Sequence, residues 1–127
     1  MALVERWSIV ILDFDPVVGH EQAGQRRALV VSYEPFHRSG LATVCPITSR
    51  PARYPGEVLI PTGRAGQTRD GLVLVHQIRT IDLRRVTAMT IGGTVQVLDD
   101  AIIRRDVRRA LAHHLGLDIP AVVDGAA

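Results

Sequence analysis

Residues 72–91, LVLVHQIRTIDLRRVTAMTI, hold three strand-sized runs in succession: LVLV at 72–75, IRTID at 78–82 and RVTAMTI at 85–91. All are rich in Val, Ile, Leu or Thr, whose bulky or branched side chains suit a pleated, half-buried surface. Working outward, WSIVIL (7–12), ALVVS (28–32), LATVCPI (41–47) and EVLI (57–60) have the same character. Asp15-Pro16, Ser39-Gly40, Pro55-Gly56, Asp70-Gly71 and Gly92-Gly93 supply breaks between them. Several runs are apolar on both alternating faces, which predicts strands curled around a small barrel or covered by a helix.

The period changes near the end. Ile103, Val107, Ala110, Leu111, His114 and Leu115 recur at three- and four-residue steps, predicting a helix with one apolar stripe. Asp99 is the expected N-cap, Leu98 and Ile103 have the spacing of a hydrophobic staple, and Gly116 is placed to end the helix. Arg104, Arg105, Arg108 and Arg109 make its polar face, expected to be solvated and paired through Asp100–Arg104 and Asp106–Arg109. His114 falls near the stripe and reads as a packed or interface histidine. Residues 1–117 read as a single domain and 118–127 as a loose tail.

Composition narrows the function. The chain has 127 residues, 46% hydrophobic and 22% charged, enough for one core and unlike a disordered chain. Its 15 cations are all arginine, but 13 acids leave a net charge of +2, so bulk charge does not attach it to nucleic acid. Any arginine that touches phosphate must do so at a particular place. The single cysteine, Cys45, excludes an internal disulfide and a four-thiolate zinc site, and reads as a small buried hydrophobe. No HExxH, CxxC, P-loop or GxGxxG occurs, and no metal or cofactor is expected. The N-terminus reads as a first strand rather than an export signal, and a cytoplasmic location is expected.

Chemistry-bearing residues concentrate in three segments. In GHEQAGQRRALVVS (19–32) a Gly-rich polar loop with His20, Glu21 and Gln22 runs through Arg26 and Arg27 into an apolar strand. Strand alternation implies that only one of the two arginines points into a given cleft. CPITS (45–49) ends a strand in the hydroxyls of Thr48 and Ser49, and HQIRTID (76–82) opens with His76 and Gln77. Arg79 and Asp82 read as a structural or interface ion pair.

These segments, with YPGEV at 54–58, stand in an order and at separations that resemble the MazF/PemK/Kid family of toxin endoribonucleases, from about Trp7 to Leu117. The resemblance implies a mainly β, SH3-like β-barrel that forms a homodimer. It also implies sequence-selective, metal-independent cutting of single-stranded RNA, and neutralisation by an antitoxin protein whose acidic segment would mask Arg26. By the same resemblance Arg26, Thr48 and His20 take catalytic roles, with Glu21, Gln22, Arg27, Ser49, His76 and Gln77 as substrate-binding candidates. Two departures stand out. The proline usual after the arginine is Arg27 here, and the acid–base aspartate and arginine of the Kid branch are replaced by His76 and Leu74. The same barrel serves CcdB-type toxins that bind DNA gyrase without cutting, which leaves a non-catalytic gyrase-, RNA- or DNA-binding module as the alternative.

Metal-free RNA cleavage uses the ribose 2′-hydroxyl as nucleophile, leaving a 2′,3′-cyclic phosphate and a 5′-hydroxyl. Arginine is a poor proton donor but its planar fork matches two phosphate oxygens, so Arg26 suits stabilisation of transition-state charge. Thr48 would hold a phosphate oxygen. Imidazole can give or take a proton near neutral pH, which suits His20, with His76 as second candidate or RNA contact.

Overall fold

The computed structural model describes residues 4–16, 18–21 and 24–120. An eight-stranded antiparallel sheet dominates it. The strands are β1 (Ser8–Asp13), β2 (Gln25–Val30), β3 (Leu41–Thr48), β4 (Val58–Ile60), β5 (Gly71–Val73), β6 (Arg79–Asp82), β7 (Val86–Ala88) and β8 (Gln96–Val97). Two helices join them: a single turn, α1 (Glu34–His37), and the long α2 (Ala101–His114).

The hydrogen-bonded path runs β4-β5-β3-β2-β1-β7, with β6 also on β3 and β8 also on β1. β6 and β7 thus lie beyond opposite sides of the β1–β2–β3 centre, yet only a 3-10 turn at Leu83–Arg85 joins them. A flat sheet cannot satisfy so short a link, so the sheet curls into a small barrel.

Curling explains the strands that are apolar on both faces. Val10, Leu12, Ala28, Val30, Ala42, Val44 and Ile81 form one buried cluster, closed by Phe14. The alternate residues Ile9, Leu29, Cys45 and Ile47 form a second cluster with Val73 of β5, Trp7, Leu98, and Ile103 and Val107 of α2. Each fully buried aliphatic side chain contributes about 1.5–3 kcal/mol, so both clusters help hold the curl. Of the two arrangements expected for such strands, the chain uses both.

The helix is where expected, but its details differ. Asp100, not Asp99, is the N-cap: its carboxylate accepts the N–H groups of Ile102 at 2.9 Å and Ile103 at 3.1 Å. Leu98 and Ile103 remain packed in one cluster, but they do not stand in staple positions relative to that cap. Asp100 also pairs with Arg64 at 3.1 Å, and Asp106 with its neighbour Arg105 at 3.1 Å, so neither expected ion pair forms. Arg104 and Arg108 instead stack on the Trp7 ring, 5.4 and 5.2 Å from its centroid, because Trp7 packs beneath the helix. His114 is exposed rather than packed. Gly116 ends the helix at φ +71°, with the N–H groups of Gly116 and Leu117 donating back to the carbonyls of His113 and Ala112. Asp118 meets His113 Nδ1 at 3.0 Å; residues 121–127 of the expected tail lie outside the described residues.

Patterning missed α1, whose single turn is too short for a periodic signal, and β8, which is two residues long. His37 of α1 is buried, its ring nitrogens 2.5 Å from the Val4 carbonyl oxygen and 2.6 Å from Ser32 Oγ. Among the described residues no helix is long and apolar enough to cross a membrane.

Candidate active site

The ladder between β2 and β3 pairs Val30 with Val44, Leu29 with Cys45 and Ala28 with Pro46. The ladder ends there, and two residues further along each strand stand Arg26 and Thr48, which the ladder no longer pairs. Alternation also gives them a common face: Arg26 has the parity of Ala28 and Val30, Thr48 that of Val44 and Pro46. Here β3 leaves β2 and pairs with β5, Thr48 opposite Leu72. The parting strands leave a depression of about 230 Å³ whose walls include Arg26, Arg27, Thr48, Ser49, Gln67 and Arg69.

Both arginines line this one depression, contrary to the expectation from strand alternation. The depression crosses the end of the sheet instead of following one face, so side chains of either parity reach it. Arg27, on the Leu29 face, donates from Nη1 to Oε1 of the buried Gln67 at 2.9 Å. Thr48 Oγ1 accepts the Arg50 N–H at 3.5 Å.

A larger depression of about 630 Å³ lies alongside and gathers His20, Glu21, His76 and Gln77. Pro46 and Arg50 line it, while Ile47, Thr48 and Ser49 line the smaller one, so the end of β3 is a ridge between the two. The expected site residues are therefore divided across a shared wall. Gln22 lies outside the described residues.

The β1–β2 loop carrying His20 is fastened at its base. Phe14 N–H donates to the Gly24 carbonyl at 3.0 Å, and Gly24 N–H to Asp15 Oδ1 at 3.1 Å. Glu21 accepts the Val18 N–H at 2.8 Å, so its carboxylate shapes the loop. His20, at the loop's exposed tip, lines the larger depression. His76 sits in a 3-10 turn with its ring edge-on to Tyr54 at 5.0 Å, and its Nδ1 is buried without a hydrogen-bond partner among the described residues.

The wall opposite was not identified as functional from sequence. Glu57 has a fully buried side chain and receives Arg50 Nη2 at 2.5 Å, with the backbone N–H groups of Arg53 at 2.6 Å and Tyr54 at 2.7 Å. Burial pushes its carboxyl upward, but the Arg50 fork and the two N–H donors outweigh that and hold it at about 2. The fastened loop presents Arg53 and the half-exposed Tyr54 to the groove. The available signal was Glu57 itself, an acid directly after a Pro-Gly turn and near Arg50.

Two other expectations need correction or find support. Asp82 pairs with Arg84 at 2.9 Å, not with Arg79, because the 3-10 turn after β6 folds Arg84 back onto it. Arg79 instead lies over the Phe14 ring at 5.8 Å and donates to the Phe14 carbonyl at 3.4 Å. Cys45 is fully buried, which pushes its thiol up to about 12 and leaves it unreactive.

The groove is thus a basic, partly aromatic channel beside a hydroxyl and two arginines, suited to a single-stranded polyanion with exposed bases. Comparison with known proteins places the chain among toxins of one family. Residues 5–115 match the family described as PemK-like, MazF-like toxin of type II toxin–antitoxin system. The chain is 40% identical over 104 residues to the endoribonuclease toxin ChpB of Escherichia coli (strain K12), covering 79% of this chain and 89% of that protein. It is similar to the crystal structure of MazF (Form-I) from Deinococcus radiodurans, with a TM-score of 0.75, 34% identity, and coverage of 91% of this chain and 99% of the other. A MazE–MazF structure (Form-II) from the same organism matches with a TM-score of 0.70 and 33% identity over 92% of this chain and 99% of the other.

Proposed function

The chain belongs to the PemK-like, MazF-like toxins of type II toxin–antitoxin systems and is an endoribonuclease toxin, and we propose that it cuts single-stranded RNA without a metal through Arg26, Thr48 and His20. The observation that carries this reading is the depression that Arg26 and Thr48 share just beyond the end of the β2–β3 ladder.

The RNA is draped over the β3 ridge with its scissile phosphate at Thr48. The 2′-oxygen attacks phosphorus as its proton passes to a base, and the P–O5′ bond breaks as the leaving oxygen gains a proton. Arg26 supplies positive charge where the phosphorane carries extra negative charge, an effect typically worth about 10²–10³ in rate. Thr48 Oγ1 holds a phosphate oxygen. His20 is the proton-transfer group carried by the loop, and His76, whose Nδ1 is buried without a hydrogen-bond partner among the described residues, is an RNA-contact residue. Glu21, Gln22, Ser49, Gln77 and Arg27 bind nucleotides of the substrate. The products are a 2′,3′-cyclic phosphate and a 5′-hydroxyl.

The working form is a cytoplasmic homodimer of the 1–117 domain, with 118–127 as an appended tail. Its partner is a cognate antitoxin whose acidic segment crosses the groove and masks Arg26. The MazE–MazF likeness supports such a partner. Charge would chiefly set the association rate and apolar anchors the affinity.

The test is incubation of purified protein with an unstructured RNA pool in EDTA, followed by 5′-end mapping. Cleavage should persist in chelator and stop when the scissile 2′-hydroxyl is removed. An intact pool, or cutting of the 2′-deoxy substrate, would overturn the mechanism.

A further inference from the structure

Gln67 is 3% exposed, in a loop between β4 and β5, and both ends of its amide are committed. Oε1 accepts Arg27 Nη1 at 2.9 Å, while Nε2 lies 3.2 Å from the Ala65 carbonyl oxygen and 3.1 Å from Gln96 Oε1. Gln96 in turn donates from Nε2 to the Gly66 carbonyl at 3.3 Å. Gln96 belongs to β8, which pairs with β1, and β1 pairs Ile11 with Arg27. The circuit closes on itself: strand, loop, strand and back to Arg27.

A buried polar network is worth its desolvation only when its members are satisfied, and this one spends its bonds on one arginine. The partner at Arg27 is an amide rather than a carboxylate, so the guanidinium is held without a counter-charge to neutralise it. The bond to Gln67 uses one of five N–H donors. Arg27 shares the smaller depression with Arg69, which has no ion-pair partner among the described residues. Asp70, also at that wall, is engaged by Thr62, whose N–H and Oγ1 each donate to Oδ1 at 2.8 Å.

We propose that Arg27, positioned by Gln67 and assisted by Arg69, is an anchor for a non-scissile phosphate of the RNA backbone beside Arg26 and Thr48. This rests on the reading of Arg26 and Thr48 as the scissile site. It separates two adjacent arginines by role: Arg26 acts on the phosphate that reacts, Arg27 on one that does not. A proline at position 27 could do neither job of an anchor, having no charge and no donor.

The test uses a short single-stranded oligonucleotide made uncleavable by a 2′-deoxy sugar at the scissile position, with neutral methylphosphonate placed at one linkage at a time. Arg27→Ala should weaken binding about tenfold at low salt and reduce the slope of log affinity against log salt by about 0.7, the value for one single-strand phosphate contact. At one non-scissile linkage the methylphosphonate should cost the wild type about as much and the Arg27→Ala protein almost nothing. Gln67→Met, similar in size but unable to accept the bond, should raise KM several-fold with a smaller change in kcat, and should not add to Arg27→Ala. Should Gln67→Met fail to fold, the methylphosphonate coupling still decides. Unchanged affinity and salt slope in Arg27→Ala, or additive losses at every non-scissile linkage, would overturn the anchor. An RNA that binds with this coupling but is never cut would support the anchor and sink the proposed reaction instead.

Discussion

Arg50 and Glu57 close a two-pronged fork, Nη2 to Oε2 at 2.5 Å and Nη1 to Oε1 at 3.3 Å, around a carboxylate side chain with no exposed surface. The fork fixes the 50–57 loop that walls the larger groove, beginning two residues after Thr48.

Glu57→Gln should lower unfolding stability by about 1–3 kcal/mol at pH 7, because a half-buried guanidinium loses its counter-charge. The pH dependence follows from the carboxyl, held at about 2 against an ordinary value of 4.5. A depressed carboxyl gives its full stabilisation above the unfolded value and loses it as pH falls from about 4.5 towards 2. Urea midpoints measured from pH 7 to pH 3 should therefore fall less steeply in Glu57→Gln than in wild type. Parallel curves would remove Glu57 from the acid response.

Arg26→Ala should reduce single-turnover cleavage by about 10²–10³-fold with a thermal midpoint close to wild type, since Arg26 is exposed and outside both apolar clusters. Thr48→Val, which keeps the shape and removes the hydroxyl, should lose a smaller part of the rate. Wild-type cleavage by Arg26→Ala would exclude it from the chemistry.

The two groove histidines separate by pH profile. His20→Ala should lose one limb of the kcat/KM profile, while His76→Phe, which keeps an aromatic edge against Tyr54, should retain both limbs and chiefly raise KM. The reverse pattern would transfer the proton-transfer role to His76.

The helix cap offers a stability comparison between neighbours. Asp100→Ala removes two N–H contacts and the Arg64 pair, and should cost about 1–2 kcal/mol in urea unfolding. Asp99→Ala, one residue earlier and exposed, should cost less than about 0.5 kcal/mol. Equal losses would contradict the cap geometry.

The strands and the main helix were legible because their signals are local. Val30, Val44 and Ile81 advertise strands by residue type, and Ile103 and Val107 a helix by spacing. Apolar residues on both faces of β1, β2 and β3 even indicated that each face would be covered. The single turn of α1 and the two residues of β8 carry too little periodicity to register. The arginine on loop entry and the hydroxyl at the end of β3 were visible as motifs, and the family resemblance implied their catalytic roles.

Partners were not legible, because they depend on what the curl brings together across long stretches of chain. Asp82 has Arg79 and Arg84 nearby in sequence, and only the 3-10 turn selects Arg84. Arg27 and Gln67 are forty residues apart, and their bond exists because the β4–β5 loop folds over the end of β2. The sequence by itself determined a mainly β domain with a C-terminal helix, since these follow from side-chain shape and spacing, and it carried the motifs whose resemblance implied a site at Arg26 and Thr48. The tertiary structure decided that the site residues fall on two sides of a β3 ridge, and which side chain each arginine meets. Local pattern is written residue by residue, whereas a cleft is made only when strands part.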